Sequence, residues 1–203
     1  MNIYLCIIVS ALLLEYFLHT LSNLLDLKNL STELPKEFKG YYSSDEYARS
    51  QQYLRENIRF SHLTSTLNLL VIFLVIFLGL FNTLDLWIRA FGYSSLVTGL
   101  MFFGVLFFIQ DIIGTPFSLY STFIIEEKFG FNKTTLKTYI LDKIKGYFLL
   151  IVFGGGVFSL ILFFFESFGG FAWLYAWLVL SCFLVLIQPL FTLFIAPMFN
   201  KFT

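Results

Sequence analysis

Five apolar runs, each about as long as a bilayer is thick, leave this chain one broad fold choice. They are Ile3 to Leu25, Leu63 to Leu86, Leu96 to Ile125, Tyr147 to Phe165 and Phe171 to Ile195. A membrane helix needs about 20 mostly apolar residues. Lipid leaves no partner for an open backbone, so only helices and closed barrels cross it. No run alternates with period two and no internal repeat is visible, which argues against a barrel. The chain has 203 residues, only 13% of them charged, and a mean hydropathy of +0.82. A soluble domain carries roughly 25% charged residues. The sequence therefore predicts one all-α integral membrane domain over residues 1–203, with five transmembrane helices and amphipathic segments between them.

Charge fixes the expected orientation. Residues 26–62 carry Lys28, Lys36, Lys39, Arg49, Arg55 and Arg59, and residues 126–146 carry Lys128, Lys133, Lys137, Lys143 and Lys145. Lys201 follows the last run, whereas residues 87–95 hold only Arg89 and the other two flanks hold no cation. Alternate segments thus carry twelve cations and one. Cations favour the cytoplasmic side. The N-terminus is expected outside and the C-terminus in the cytoplasm. Trp173, Tyr175 and Trp177 then fall at the outer interface, where such side chains are enriched. The first run, "MNIYLCIIVSALLLEYFLHTLSNLL", lacks a basic start and a small-residue cleavage site, so it reads as a retained span rather than a signal peptide. A net charge of zero gives no reason to expect a nucleic-acid partner. Cys6 and Cys182 read as two buried thiols.

The cytoplasmic segments hold more than charge. In "SSDEYARSQQYLRENIRFSHL", Ser43, Ser44 and Asp45 are candidate N-caps, and Tyr47, Tyr53, Leu54 and Ile58 share one helical face. In "IIEEKFGFNKTTLKTYILDKIKG", Phe129-Gly130-Phe131 reads as a turn, with Gly130 in a conformation other residues resist. Asn132 is a candidate cap for a helix that carries Leu136, Ile140 and Ile144 four apart. That helix is expected to lie on or near the cytoplasmic membrane face. Inside the apolar runs, Gly114-Thr115-Pro116 and Gln188-Pro189 predict bends, because proline removes a backbone donor. Gly154-Gly155-Gly156 predicts close helix packing, with a hinge as the alternative.

Three polar side chains sit in apolar surroundings: Glu15, Gln110 and Asp111. Placing a carboxylate mid-membrane costs about 3 kcal/mol on insertion scales. These residues are candidates for lining a hydrated interior or for hydrogen bonds between helices. The sequence has no HExxH, GxSxG, P-loop or GxGxxG. His19 and His62 lie 43 apart and read as interfacial polar residues. No catalytic residue and no metal ligand is assigned, and no cofactor is expected in this chain.

"FIIEEKFGFNKTTLKTYILDKIKG", then "FAWLYAWLVL", then "IAPMFNKFT" resemble the N-terminal membrane domain of type I CAAX prenyl proteases. "DEYARSQQYLRENIRF" and "PFSLYSTF" fit the same pattern in the same order. Met198 stands where the family usually has leucine. The residues carrying the resemblance are Glu126, Glu127, Phe129, Gly130, Phe131, Asn132, Lys133, Thr134, Asp142, Lys145, Pro197, Phe199, Asn200, Lys201 and Phe202. These are expected to have structural roles. The resemblance implies helices around a hydrated chamber, which would house Glu15, Gln110 and Asp111. It also implies zinc-dependent endoproteolysis of membrane-associated or prenylated proteins, at the endoplasmic reticulum in eukaryotes or the inner membrane in bacteria. In that family the HExxH helix and its zinc follow the Asn-Lys-Phe motif, so this chain would partner a separate catalytic zinc domain and be inactive alone. A stand-alone scaffold or regulatory paralogue that binds a protease or lipidated protein is the first alternative. A transporter-like protein is the second.

Overall fold

The computed structural model describes residues 2–35, 40–41 and 43–199. Asn200, Lys201 and Phe202 of the motif lie outside the described residues, as do Lys36 and Lys39. The helices are α1 (Ile3–Asn29), α2 (Ser44–Phe77), α3 (Leu80–Arg89), α4 (Ser95–Phe129), α5 (Leu136–Ser167) and α6 (Gly169–Phe199). All except α3 are long and apolar enough to cross a membrane, which makes five candidate spans, and no strand occurs among the described residues.

Several boundaries differ from the sequence reading, each for a local reason. The amphipathic segment and the second span form one helix of 34 residues, α2. Ser43 caps it by accepting from the Glu46 amide at 3.1 Å. The apolar run that continues to Leu86 is cut after Phe77. There Gly79 takes a left-handed φ of 67° and its amide bonds back to the Ile76 carbonyl at 3.1 Å. Glycine in that conformation ends helices at no steric cost. The segment after the Phe-Gly-Phe turn is not a separate surface helix. It is the first part of α5, continuous with the fourth span, and Leu136, Ile140 and Ile144 stay exposed. The cap is Thr135, which accepts from the Thr138 amide at 3.2 Å, rather than Asn132.

The prolines do not end their helices. Pro116 lies within α4, and the backbone widens to π-helical turns at Ser121–Glu126. Pro189 in α6 is likewise followed by π-helical turns at Phe191–Ile195. A third such stretch, Leu150–Gly155, includes two of the three consecutive glycines. Close packing at those glycines is not found among the described residues. A methyl group on Gly155 or Gly156 would meet nothing within 4 Å, and one on Gly154 would meet only Leu150. The close approach is at Gly99 instead, where an added methyl would stand 2.9 Å from Cδ1 of Leu162. That lets α4 and α5 lie together, and Phe103 on Phe158 continues the contact at 4.8 Å between ring centroids.

The chain divides into two compact units. The first comprises Met1–Thr83 and Gln110–Lys133. Within it, Tyr16 of α1 reaches Thr66 of α2 by an O–O hydrogen bond of 2.8 Å and stacks on His62. Phe60 of α2 stacks on Tyr120 of α4 at 5.0 Å. The second comprises Leu84–Ile109 and Thr134–Thr203. Its α5–α6 hairpin turns at Gly169, with φ 52°, and is filled by Phe164, Phe168 and Tyr175. Ala172 and Ala176 are buried there. Small residues one turn apart allow close helix contact. Most other span residues are open, with Ile151 and Val185 each 72% exposed. Such surface is covered by lipid or protein rather than water. Cys182 is also exposed and Cys6 is half-buried, so the thiols are free but not both buried as expected.

Candidate functional site

In the first unit the motif residues close a turn onto α2. The backbone leaves α4 through Gly130, whose φ of 75° lets the amides of Phe131 and Asn132 both point to the Glu126 carbonyl, at 2.9 and 3.3 Å. The Gly130 amide meets the Glu127 carbonyl at 3.0 Å. This satisfies carbonyls that a helix end otherwise leaves open. The Asn132 side-chain amide donates to the Glu127 carboxylate at 2.9 Å, which locks the turn from outside.

Tyr53 of α2 holds the turn in place. Its ring meets Phe129 edge-on at 5.4 Å and Phe131 edge-on at 4.7 Å. Phe129 is 6% exposed, among the most buried large side chains of the chain. Edge-to-face aromatic pairs add about 1 kcal/mol beyond area burial. Lys128 pairs with Glu56, and the Arg49 guanidinium lies 3.0 Å from where a Gly130 methyl would stand. Arg49, Tyr53 and Glu56 are spaced four and three apart, which puts them on one face of α2. That stripe was present in the sequence but was not singled out there, where Tyr47, Tyr53, Leu54 and Ile58 were grouped instead. The turn and α2 bound an open groove of about 950 Å³, lined by Glu46, Tyr47, Arg49, Ser50, Phe129, Gly130 and Phe131.

In the second unit a lysine does the joining. Lys145 of α5 donates to the Asp142 carboxylate at 3.0 Å and to the Met198 carbonyl at 2.8 Å. Its ammonium also stands 5.1 Å from the centroid of Phe199. A cation at the end of a helix answers both its open carbonyls and its dipole. Asp142, Lys145 and Phe199 are thus brought together, with Pro197 exposed in the same last turn. Thr134 lies in the extended run before α5, and Lys133 is exposed at the end of the first unit.

The candidate interior residues differ in exposure. Glu15 and Gln110 are exposed, and Asp111 is half-buried, its carbonyl accepting from the Thr115 hydroxyl at 2.6 Å. His19 shares a 3.3 Å hydrogen bond with Asn23, and His62 packs on Tyr16. Nowhere among the described residues do three His, Cys, Asp or Glu side chains come close enough to hold a metal ion. Zinc, which the resemblance implies, therefore has no fitting donor set there.

A family model described as "CAAX prenyl protease N-terminal, five membrane helices" matches residues 23–201. A CAAX prenyl protease 1 homolog of Dictyostelium discoideum is 34% identical over 98% of this chain and 49% of its own length. CAAX prenyl protease 1 of Saccharomyces cerevisiae is 32% identical over 85% of this chain and 40% of its own. The crystal structure of S. mikatae Ste24p superposes with a TM-score of 0.86 at 29% identity, covering 97% of this chain and 48% of that one. The chain spans about half the length of the curated relatives it matches.

Proposed function

The chain belongs to the CAAX prenyl protease N-terminal family, and we propose that it forms the membrane wall of a proteolytic chamber. In this reading residues outside these 203 supply the zinc, its ligands and the catalytic glutamate. This chain supplies helices, two braced corners and a hydrated face. One observation carries the reading: the match runs along nearly the whole chain yet covers only about half of the Dictyostelium relative and of the Ste24p structure. Zinc in the complete enzyme would polarise the scissile carbonyl and activate a water. The substrate would be a membrane-associated or prenylated protein, the class that the relatives' names point to.

The exposed Glu15 and Gln110 support the same reading, because a carboxylate or a side-chain amide at mid-membrane depth needs water or a partner rather than lipid. With Asp111 they would line the chamber. The N-terminus would face outward and the C-terminus the cytoplasm, in the endoplasmic reticulum of a eukaryote or the inner membrane of a bacterium. The lone cation of the 87–95 segment, Arg89, bonds Asp85 at 2.7 Å, which suits a translocated segment. The test is cleavage of a prenylated peptide by the reconstituted chain with added zinc. No cleavage is expected from the chain alone. Zinc-dependent cleavage would overturn the scaffold role. Labelling of single cysteines at positions 2 and 133 from either side of sealed vesicles tests the orientation.

A further inference from the structure

We infer that α3 is an interfacial helix whose Trp87–Phe91–Tyr93 aromatic ladder seats in the lipid headgroup region. The inference needs only membrane insertion, and neither the proteolytic role nor the orientation.

The first support is the length of the preceding span. The hydrocarbon core takes about 20 residues of helix, and α2, which ends at Phe77, is long and apolar enough to cross it without α3. Only Leu78 and Gly79 separate α2 from α3. Five residues, 90–94, separate α3 from α4. Fully extended, five residues reach about 17 Å. Both ends of α3 are therefore tethered to membrane-crossing helices by short links, and α3 is held at one membrane face.

The second support is the pattern on the helix. At 100° per residue, Asn82, Asp85 and Arg89 fall in one strip, and Leu80, Phe81, Leu84, Trp87 and Ile88 fall on the other side. Ile88 is fully buried in the protein, whereas Trp87 is 56% exposed. Asp85 and Arg89 pair along the polar strip at 2.7 Å. A helix with charges on one face and Trp, Phe and Leu on the other lies in the interface plane.

The third support lies beyond the helix. Trp87 meets Phe91 edge-on at 5.4 Å, and Phe91 stacks on Tyr93 at 6.1 Å. Phe91 and Tyr93 are 51% and 56% exposed. Three large rings in successive contact, open on their outer side, need a cover that takes apolar rings and polar tips together. The headgroup region does both. Gly92, at φ 71°, turns the chain between the last two rings.

Depth-resolved fluorescence tests this. The sequence has three tryptophans, so W173F/W177F leaves Trp87 as the sole reporter. The full chain is reconstituted in phosphatidylcholine vesicles brominated near the top, the middle or the end of the acyl chains. The expected result is the largest loss of emission with bromines near the top, placing Trp87 about 5–10 Å into the headgroup and acyl boundary. The largest loss with bromines at the chain ends would overturn the inference, because α3 would then be part of a span. Insensitivity to every bromolipid would overturn it too, since water or protein would then cover the ring. If the double variant does not insert, the difference between the unaltered chain and W87F reports the same depth profile, read the same way.

Discussion

The two braced corners solve one problem with different physics. In the first, an aromatic clamp shuts the turn after α4 onto α2: Tyr53 between Phe129 and Phe131, around a left-handed glycine. In the second, one ammonium ties α5 to the last turn of α6 through Asp142 and the Met198 carbonyl. The clamp buries a ring almost completely, whereas the Lys145 side chain remains 34% exposed. Packing is short-ranged and unaffected by salt, and an exposed ion pair is screened. The first corner should therefore behave as a fixed joint and the second as a yielding one.

The strongest way to break the contrast is Phe129→Ala, expected to cost about 3 kcal/mol through lost burial and a cavity. Thermal unfolding in detergent should show it, and faster hydrogen exchange should be confined to residues 126–132. Gly130→Ala comes next, at about 1–2 kcal/mol, because a side chain resists φ 75° and Arg49 must also move. Lys145→Met keeps the stem but removes both polar bonds. Discounted for its exposure, it should cost about 1 kcal/mol, with faster exchange near Met198. The smallest effect belongs to Lys128→Met. Its pair with Glu56 is more than half exposed on the lysine side, and such pairs contribute about 0.5 kcal/mol or less. Half-molar salt should reduce the difference between the Lys128 variant and the parent, and leave that of Phe129→Ala unchanged.

The sequence made the five spans legible because desolvation of some twenty residues at a time outweighs any local preference. It also made the Phe-Gly-Phe turn legible, since glycine between bulky residues has few other uses. The Gly79 break was hidden because "LGLF" continues an apolar run, and the positive φ leaves no mark on hydropathy. Asn132 and Thr135 both had cap chemistry. Thr135 prevails because the helix starts at Leu136, which puts Thr135 at the cap position and leaves Asn132 in the turn, where its amide donates to Glu127. The partners of the turn, Arg49, Tyr53 and Glu56, lie far upstream, the nearest pair being Lys128 and Glu56 at a separation of 72. Which helix faces meet across such a distance is decided by packing, not by local spacing. The same holds for Gly99, whose role depends on Leu162 of another helix.

The central claim, that this chain is the wall of a protease chamber, is tested most directly by complementation. The chain is co-expressed with the part of the yeast relative that it does not match, and membranes are assayed on a prenylated peptide. Zinc-dependent cleavage that requires both pieces, and that falls with Phe129→Ala, is the expected result. Membranes that contain both folded pieces and cleave no better than either alone would contradict the claim.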